Sequence, residues 1–324
     1  FLSIIPKISF LNNYYNKYLI IMYHRVVDDS DFSFFNDPNF GLAVTKSNFE
    51  DQINFLTNNF TITPINDLLC EKKDVSENLK IIITFDDGYR DNLTNALPIL
   101  EKYSAPATIY ISTRFIEGES WTWWYDLWKI LKSTDQIKIN HEYLQFASNI
   151  NSVSKKIKAY NIISKVFKTL NYQDQLSLMK LIDPSFELRD TSKLFLNWDE
   201  VNILNINKFI TIGAHTHSHI SLKNLTDEES FNEIKKSKEL IEKNINNQIF
   251  HFAYPYGKYS NFTTREERYI KDLGFKTGVT TVSKRSTKDL FKLPRIGIDN
   301  TSTVGNINSK LNGVEQMVRS LIKQ

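Results

Sequence analysis

Two carboxylates stand side by side, Asp86 and Asp87, in the segment Thr84-Phe85-Asp86-Asp87-Gly88-Tyr89. Adjacent Asp residues point in different directions, so one can take a metal while the other faces a substrate or water. Gly88 allows a sharp exit from the preceding apolar run. The same residues also suit a plain turn with a helix N-cap, where Asp and Gly are favoured for local reasons. A second segment, Gly213-Ala214-His215-Thr216-His217-Ser218-His219, holds three imidazoles within five residues. His215 and His219, at i and i+4, can face one cation if the loop turns helically, with His217 pointing elsewhere. Such a trio after an apolar run is hard to explain as packing. Asp87, His215 and His219 would make a two-His, one-carboxylate site with a position open to water. That donor set suits Zn²⁺ first, with other divalent ions such as Co²⁺ or Ni²⁺ as alternatives.

Three weaker segments accompany these. Met22-Tyr23-His24-Arg25 offers His24 as a general acid, since an unperturbed imidazole titrates near neutrality. A satisfied structural His is the alternative. Phe252-Ala253-Tyr254-Pro255-Tyr256-Gly257 either aims a backbone N–H into a cleft or is an ordinary β-turn. In Leu293-Pro294-Arg295-Ile296-Gly297, Arg295 could pair with Asp86 and hold it ionised, or form a plain structural ion pair.

Each segment lies at or near the end of a short apolar run. These runs are residues 19–23, 80–85, 106–112, 208–213 and 249–254, with later strands expected at 275–280 and near 295. They are rich in Ile, Phe, Tyr and Thr and apolar on both faces, the pattern of strands in a parallel sheet covered on both sides. Helices are expected between them. Ser47-x-x-Glu50 and Thr226-x-x-Glu229 read as capping boxes, and Gly274 closes the helix of residues 263–273. This alternation predicts βα units around a sheet, open or closed into a barrel, with ligand groups at the carboxyl ends of the strands. One stretch interrupts it. Residues from about 117 to 196 read as helical and amphipathic, with no clear strand, and open on Trp121-Thr122-Trp123-Trp124-Tyr125-Asp126-Leu127-Trp128. The Trp cluster is either a packing anchor, the favoured reading, or a platform for sugar rings.

Composition narrows the chemistry. The 324 residues carry 40 Lys+Arg and 37 Asp+Glu, a net charge of +3 that gives no electrostatic case for nucleic acid. Such a balance suits a neutral sugar better than a polyanion. A chain this long buries about three quarters of its extended surface and needs no disulfide. Cys70 is the single cysteine, so any metal must be held by His and carboxylates. No run of apolar residues is long enough to span a membrane. The chain begins at Phe1, which leaves an upstream signal or anchor open. With one, the protein would be exported or associated with the cell envelope; without one, cytoplasmic.

TFDDG, then HTHSH, then a Pro-Tyr-Gly strand exit resembles the polysaccharide deacetylase family, carbohydrate esterase family 4. The likeness covers about 19–115 and 198–300 and leaves out the insertion. It implies a distorted (β/α) barrel of about seven strands, residues 1–324 forming one such domain, and removal of acetyl groups from sugars with a divalent metal. On this resemblance Asp86 is the general base, Asp87 the metal carboxylate, His215 and His219 the metal histidines, and Tyr256 the backbone donor to the oxyanion. The family usually has an Arg two residues before the Pro, where this chain has Ala253, and Arg295 is the substitute. No His follows His251, so the usual C-terminal acid is missing. MYHRV at the start is similar to the permuted branch of poly-N-acetylglucosamine deacetylases, which assigns the acid to His24.

The expected activity is therefore metal-dependent N-deacetylation of a polysaccharide, an oligosaccharide or a lipid-linked sugar. O-acetyl hydrolysis and a non-catalytic sugar-binding role on the same fold are the alternatives. A glycosidase fits poorly, because its two carboxyls flank a bond about 5–9.5 Å apart and need no metal. His217 is expected beside the metal site, and His141 and His251 are expected to be structural.

Overall fold

Seven of the short apolar runs pair as parallel strands in the computed structural model, which describes residues 17–30, 37–70, 79–119, 121–283, 287 and 289–311. They are β1 (Tyr18–Tyr23), β2 (Lys80–Phe85), β3 (Ala107–Ile111), β4 (Ile210–Ala214), β5 (His251–Ala253), β6 (Thr277–Val279) and β7 (Arg295–Gly297). Their order in space is β6-β5-β4-β3-β2-β1-β7, with a short strand, Thr61–Ile62, also paired to β2. The chain just before β7 bonds to β6, with Thr280 N–H donating to Leu293 C=O at 2.8 Å. That contact nearly closes the sheet into the expected distorted barrel.

Alternation along the strands sorts their side chains into two apolar clusters. Leu19, Ile21, Tyr23, Ile81, Ile83, Phe85, Ile109 and Ile111 join the larger cluster, with Phe49, Ile53 and Leu56 of the helix Lys46–Asn59. Tyr18, Ile20, Ile82, Tyr110, Ala253, Val279 and Leu293 form the smaller one, with Ile65 and Leu68. Gly213 is required here, because a Cβ would lie 2.5 Å from the Tyr110 ring. His251 is structural, as expected: it is buried and bonds Thr277 Oγ1 at 2.8 Å and Asn66 Oδ1 at 2.7 Å.

The helix starts were mostly legible. Thr226 and Glu229 form the expected capping box of the helix Asp227–Ile245. Gly274 takes φ +84° beyond the helix Thr264–Asp272, donating to Lys271 C=O at 2.9 Å. Ser47 is not an N-cap. Thr45, in extended backbone, accepts from Asn48 N–H instead, while the Ser47 hydroxyl turns to Asp29 and Glu50 pairs with Lys102. The cap falls two residues earlier because Thr45 ends a short strand and supplies the same kind of oxygen.

The insertion lies between β3 and β4, but it is not purely helical. Helices Trp123–Ser133, Val153–Phe167 and Tyr172–Ile182 are joined by an antiparallel hairpin, Gln136–His141 with Leu144–Asn149. The expectation of no strand is therefore corrected. Ile137 and Ile139 are buried between exposed Gln136, Lys138 and Asn140, a period of two that specifies a half-buried strand. Four Trp of the cluster, Trp121, Trp123, Trp124 and Trp128, are buried, so the anchor reading holds. No helix among the described residues is long and apolar enough to cross a membrane.

Candidate metal centre and active site

Strand register brings the site together. Tyr23 pairs with Phe85, and Ile20 pairs with Arg295. His24 and Asp86 are each the next residue after β1 and β2, and Asp86 N–H donates to Tyr23 C=O at 3.1 Å. Both therefore lie at the same rim of the barrel. Arg295, one position into the neighbouring strand, reaches across from β7.

Asp86 is held by a bidentate grip. Arg295 Nη1 donates to its Oδ1 and Nη2 to its Oδ2, both at 2.6 Å. The guanidinium also donates to Thr280 C=O at 2.9 Å and to Thr84 Oγ1 at 3.2 Å. Both partners are buried. Burial pushes the Asp86 carboxyl upward, but the Arg295 and His215 charges outweigh it and hold it below the usual carboxylate value. Asp86 thus stays ionised. Its two oxygens carry about four lone-pair sites, so acceptor capacity remains after Arg295 is served.

Asp87 faces the other way. Its Oδ1 lies 3.2 Å from His219 Nε2 and 3.4 Å from His215 Nε2. The three donor atoms lie within 4.8 Å of one another. Burial opposes the charge on Asp87, yet the His219 and His215 imidazoles hold its pKa well below the ordinary value. The tautomer of His215 is fixed by its surroundings: Nδ1 lies 2.8 Å from Ala253 C=O, which can only accept, so Nδ1 carries the proton. In the neutral ring Nε2 then offers its lone pair towards Asp87, the usual arrangement of a metal histidine with a supporting acceptor.

These residues fit a divalent ion. Asp87 Oδ1 is buried with no hydrogen-bond donor among the described residues. Bonds of about 2.0–2.1 Å in a tetrahedron require ligand atoms ~3.3 Å apart, the spacing at which Asp87 stands from both imidazoles. The ring of His217 turns away from the centre and meets Thr113 Oγ1 at 2.8 Å, as expected of a neighbour.

The backbone around the centre is strained. Among the described residues six non-glycines have positive φ, and four of them are Asp87 (77°), Thr216 (63°), His219 (53°) and Tyr256 (58°). Left-handed backbone costs an ordinary residue roughly 1–2 kcal/mol. Its concentration at one rim marks a place where side-chain direction outweighs local comfort. For Asp87 the turn breaks strand alternation and returns a second carboxylate to the rim. For Tyr256 it leaves the N–H with no protein acceptor among the described residues. Gly257 follows at φ +58°, where a Cβ would lie 2.5 Å from Thr281 N.

His24 is half-buried at the same rim. Burial lowers its pKa, partly countered by Asp87 and Asp86. Its main chain is fixed from beneath: Asn92 Nδ2 donates to His24 C=O at 2.8 Å, and Asp91 binds Arg25 Nε at 2.8 Å and Val26 N–H at 3.0 Å.

A model of the family described as polysaccharide deacetylase matches residues 73–278. The chain belongs to the polysaccharide deacetylase family. YxkH of Bacillus subtilis (strain 168), named as a polysaccharide deacetylase, is 24% identical over 288 residues, spanning 87% of this chain and 71% of that protein. The fold is shared with the Streptococcus pyogenes deacetylase PplD, solved with acetate (18% identity, TM-score 0.58, 90% of this chain and 97% of that one). It is also shared with IcaB from Ammonifex degensii (13%, TM-score 0.59, 91% and 96%). His24 and Arg295 lie outside the stretch the family model matches.

The structure brings all seven expected site residues, His24, Asp86, Asp87, His215, His219, Tyr256 and Arg295, to one end of the barrel. Sequence reasoning favoured packing for the Trp cluster and placed none of its residues at the site, yet two of the rings reach it. The Trp124 ring lies 5.7 Å from the His219 ring. Trp123 Nε1 donates to the Tyr256 hydroxyl at 3.4 Å, and the Tyr256 ring lies 5.0 Å from His219. The adjacent Trp123-Trp124 pair at a helix start was the available signal, since neighbours there diverge by about 100° and reach two partners.

Proposed function

We propose that the protein is a divalent-metal-dependent N-deacetylase of a glycan, hydrolysing the acetamide of an N-acetylhexosamine to acetate and an amino sugar. The observation that carries this reading is the different partnering of two adjacent carboxylates. Asp86 is gripped by a guanidinium, whereas Asp87 faces two imidazole nitrogens. Paired groups whose surroundings separate their roles are the mark of acid–base chemistry.

Asp87, His215 and His219 would hold the ion, with Zn²⁺ favoured by the donor set. When bound, such an ion acidifies water and polarises a carbonyl. Asp86, ionised beside Arg295 and with lone pairs to spare, takes the proton from the attacking water. Arg295 replaces the cation that this chain lacks at Ala253 and keeps the base charged and aligned. Tyr256, its N–H unclaimed by the protein, donates to the oxyanion. His24, in imidazolium form, gives its proton to the departing nitrogen. The lowered pKa makes it the readier donor and moves the falling limb of the pH profile to the acid side of an ordinary histidine.

Candidate substrates are exported or cell-envelope glycans with N-acetylhexosamines, as polymer, oligosaccharide or lipid-linked sugar. The test is acetate release from N-acetylated and O-acetylated saccharides, with Asp86→Asn alongside. N-acetylated sugars should be the better substrates. The variant should lose about 10²–10⁴-fold in kcat, the range a general base supplies, and keep its zinc content. Activity surviving in Asp86→Asn would remove Asp86 from the base role; release confined to O-acetyl groups would replace the amidase reading with an esterase.

A further inference from the structure

Three lysines lie on three elements that are bonded to one another on the side of the rim next to Tyr256. Lys168 ends the insertion helix Val153–Phe167, Lys223 lies in the short turn Leu222–Asn224 after the histidine loop, and Lys258 follows the Pro-Tyr-Gly exit. Hydrogen bonds tie these elements together. Asn224 Nδ2 donates to Thr169 C=O at 3.0 Å, Lys223 N–H to Asn261 C=O at 2.9 Å, and Asn261 N–H to Lys258 C=O at 2.8 Å. The ammonium of Lys168 lies 5.6 Å from the centre of the Tyr256 ring, whose centre is 5.0 Å from that of His219. The patch therefore begins one ring away from the metal residues.

All three side chains are exposed, and none makes an ion pair among the described residues. Of the carboxylates that open the following helix, Asp227 pairs with Arg265 and Glu229 serves the capping box. Desolvation by the surrounding protein, and after it the Lys258 charge, lowers the pKa of Lys168. Elsewhere on the molecule such crowding is relieved, as where Lys292 sits against both Glu267 and Asp289. A near-balanced total charge is compatible with such a local excess.

We propose that Lys168, Lys223 and Lys258 form a subsite for an oxyanion carried by the glycan, a carboxylate or a phosphate on a sugar near the acetylated one. The substrate class is thus an acidic N-acetylated glycan. Lysines recognise such groups as point charges and leave sugar geometry free, which suits a polymer sliding along a rim. The subsite deepens the deacetylase reading but does not need turnover to be observed.

The test is calorimetric binding of three tetrasaccharides to the otherwise intact Asp86→Asn protein. They are chitotetraose, an alternating N-acetylglucosamine–N-acetylmuramic acid tetrasaccharide, and chitotetraose 6-phosphate. The acidic sugars should bind about tenfold tighter than the neutral one at low salt. The advantage should shrink at high ionic strength, and it should vanish when Lys168→Gln and Lys258→Gln are added. The better of the two acidic sugars identifies the oxyanion. Equal affinities for all three, or an advantage untouched by the two lysine changes, would overturn the subsite. Acetate release by the unaltered protein is the separate arm. Selective binding without acetate from any sugar upholds the subsite and defeats the deacetylase reading, whereas acetate with no binding preference does the reverse.

Discussion

The barrel rim and the insertion face each other across Tyr256, and they contribute in different ways. On the rim, Asp86, Asp87, His24, Arg295, His215 and His219 hang from strand ends whose relative positions follow from register. Asp86 meets Arg295 at hydrogen-bonding distance, and Asp87 stands at ligand spacing from His215 and His219. Among the described residues the insertion brings no carboxylate or imidazole to the metal-ligand cluster. It brings rings, with Trp123 stacked on Phe167 at 5.1 Å and Trp124 beside His219, and the ammonium of Lys168. On the proposed function, the bond-making groups sit on the part of the fold that cannot shift without breaking the sheet. The groups that would select and enclose a sugar sit on a segment inserted between two strands, whose buried residues pack into the larger apolar cluster of the barrel.

The comparison breaks most readily at Arg295. Arg295→Leu leaves Asp86 buried and charged without its cation, at a cost of about 3–5 kcal/mol of stability by denaturant unfolding. The rising limb of the pH profile should also move upward, because Asp86 then binds its proton more easily. A variant as stable as the parent would show that the rim does not depend on this pair.

A smaller effect tests the barrel away from the chemistry. Burial pushes the His251 imidazole down to about 4. The unfolded chain binds that proton near pH 6.5, so between 6.5 and 4 the unfolded state holds more protons than the fold. Stability contributed here is complete above pH 6.5 and is lost as pH falls towards 4, about 3 kcal/mol at most. Titration of the His251 ring by NMR checks it; a midpoint near 6.5 would contradict the buried, bonded ring.

The smallest effect belongs to the insertion. Trp123→Phe keeps the stack on Phe167 and removes the N–H donated to the Tyr256 hydroxyl. It should raise KM several-fold, about 1 kcal/mol, with kcat and metal content nearly unchanged. A kcat loss as large as that of a rim residue would dissolve the distinction between the two regions.

Legibility in the sequence followed the same division. Strand runs such as KIIITF are apolar on both faces because both faces are covered, and β2 begins and ends where that run does. Asp86, Asp87, His215 and His219 were legible because like residue types cluster directly after such runs. Arg295 was left between a catalytic and a structural pairing, since only register sets it opposite Ile20. The hairpin at 136–149 was missed although QIKINH alternates, because its helical flanks dominated the reading. Lys168 was invisible: one lysine among many acquires meaning only when the fold brings Lys223 and Lys258 beside it.

The most direct test of the central claim is acetate release from an N-acetylated oligosaccharide by protein stripped with a chelator, then titrated with Zn²⁺. The account predicts no release from the stripped protein and recovery that saturates at one ion per chain. Release undiminished after complete metal removal, or none from the fully loaded protein, would contradict it.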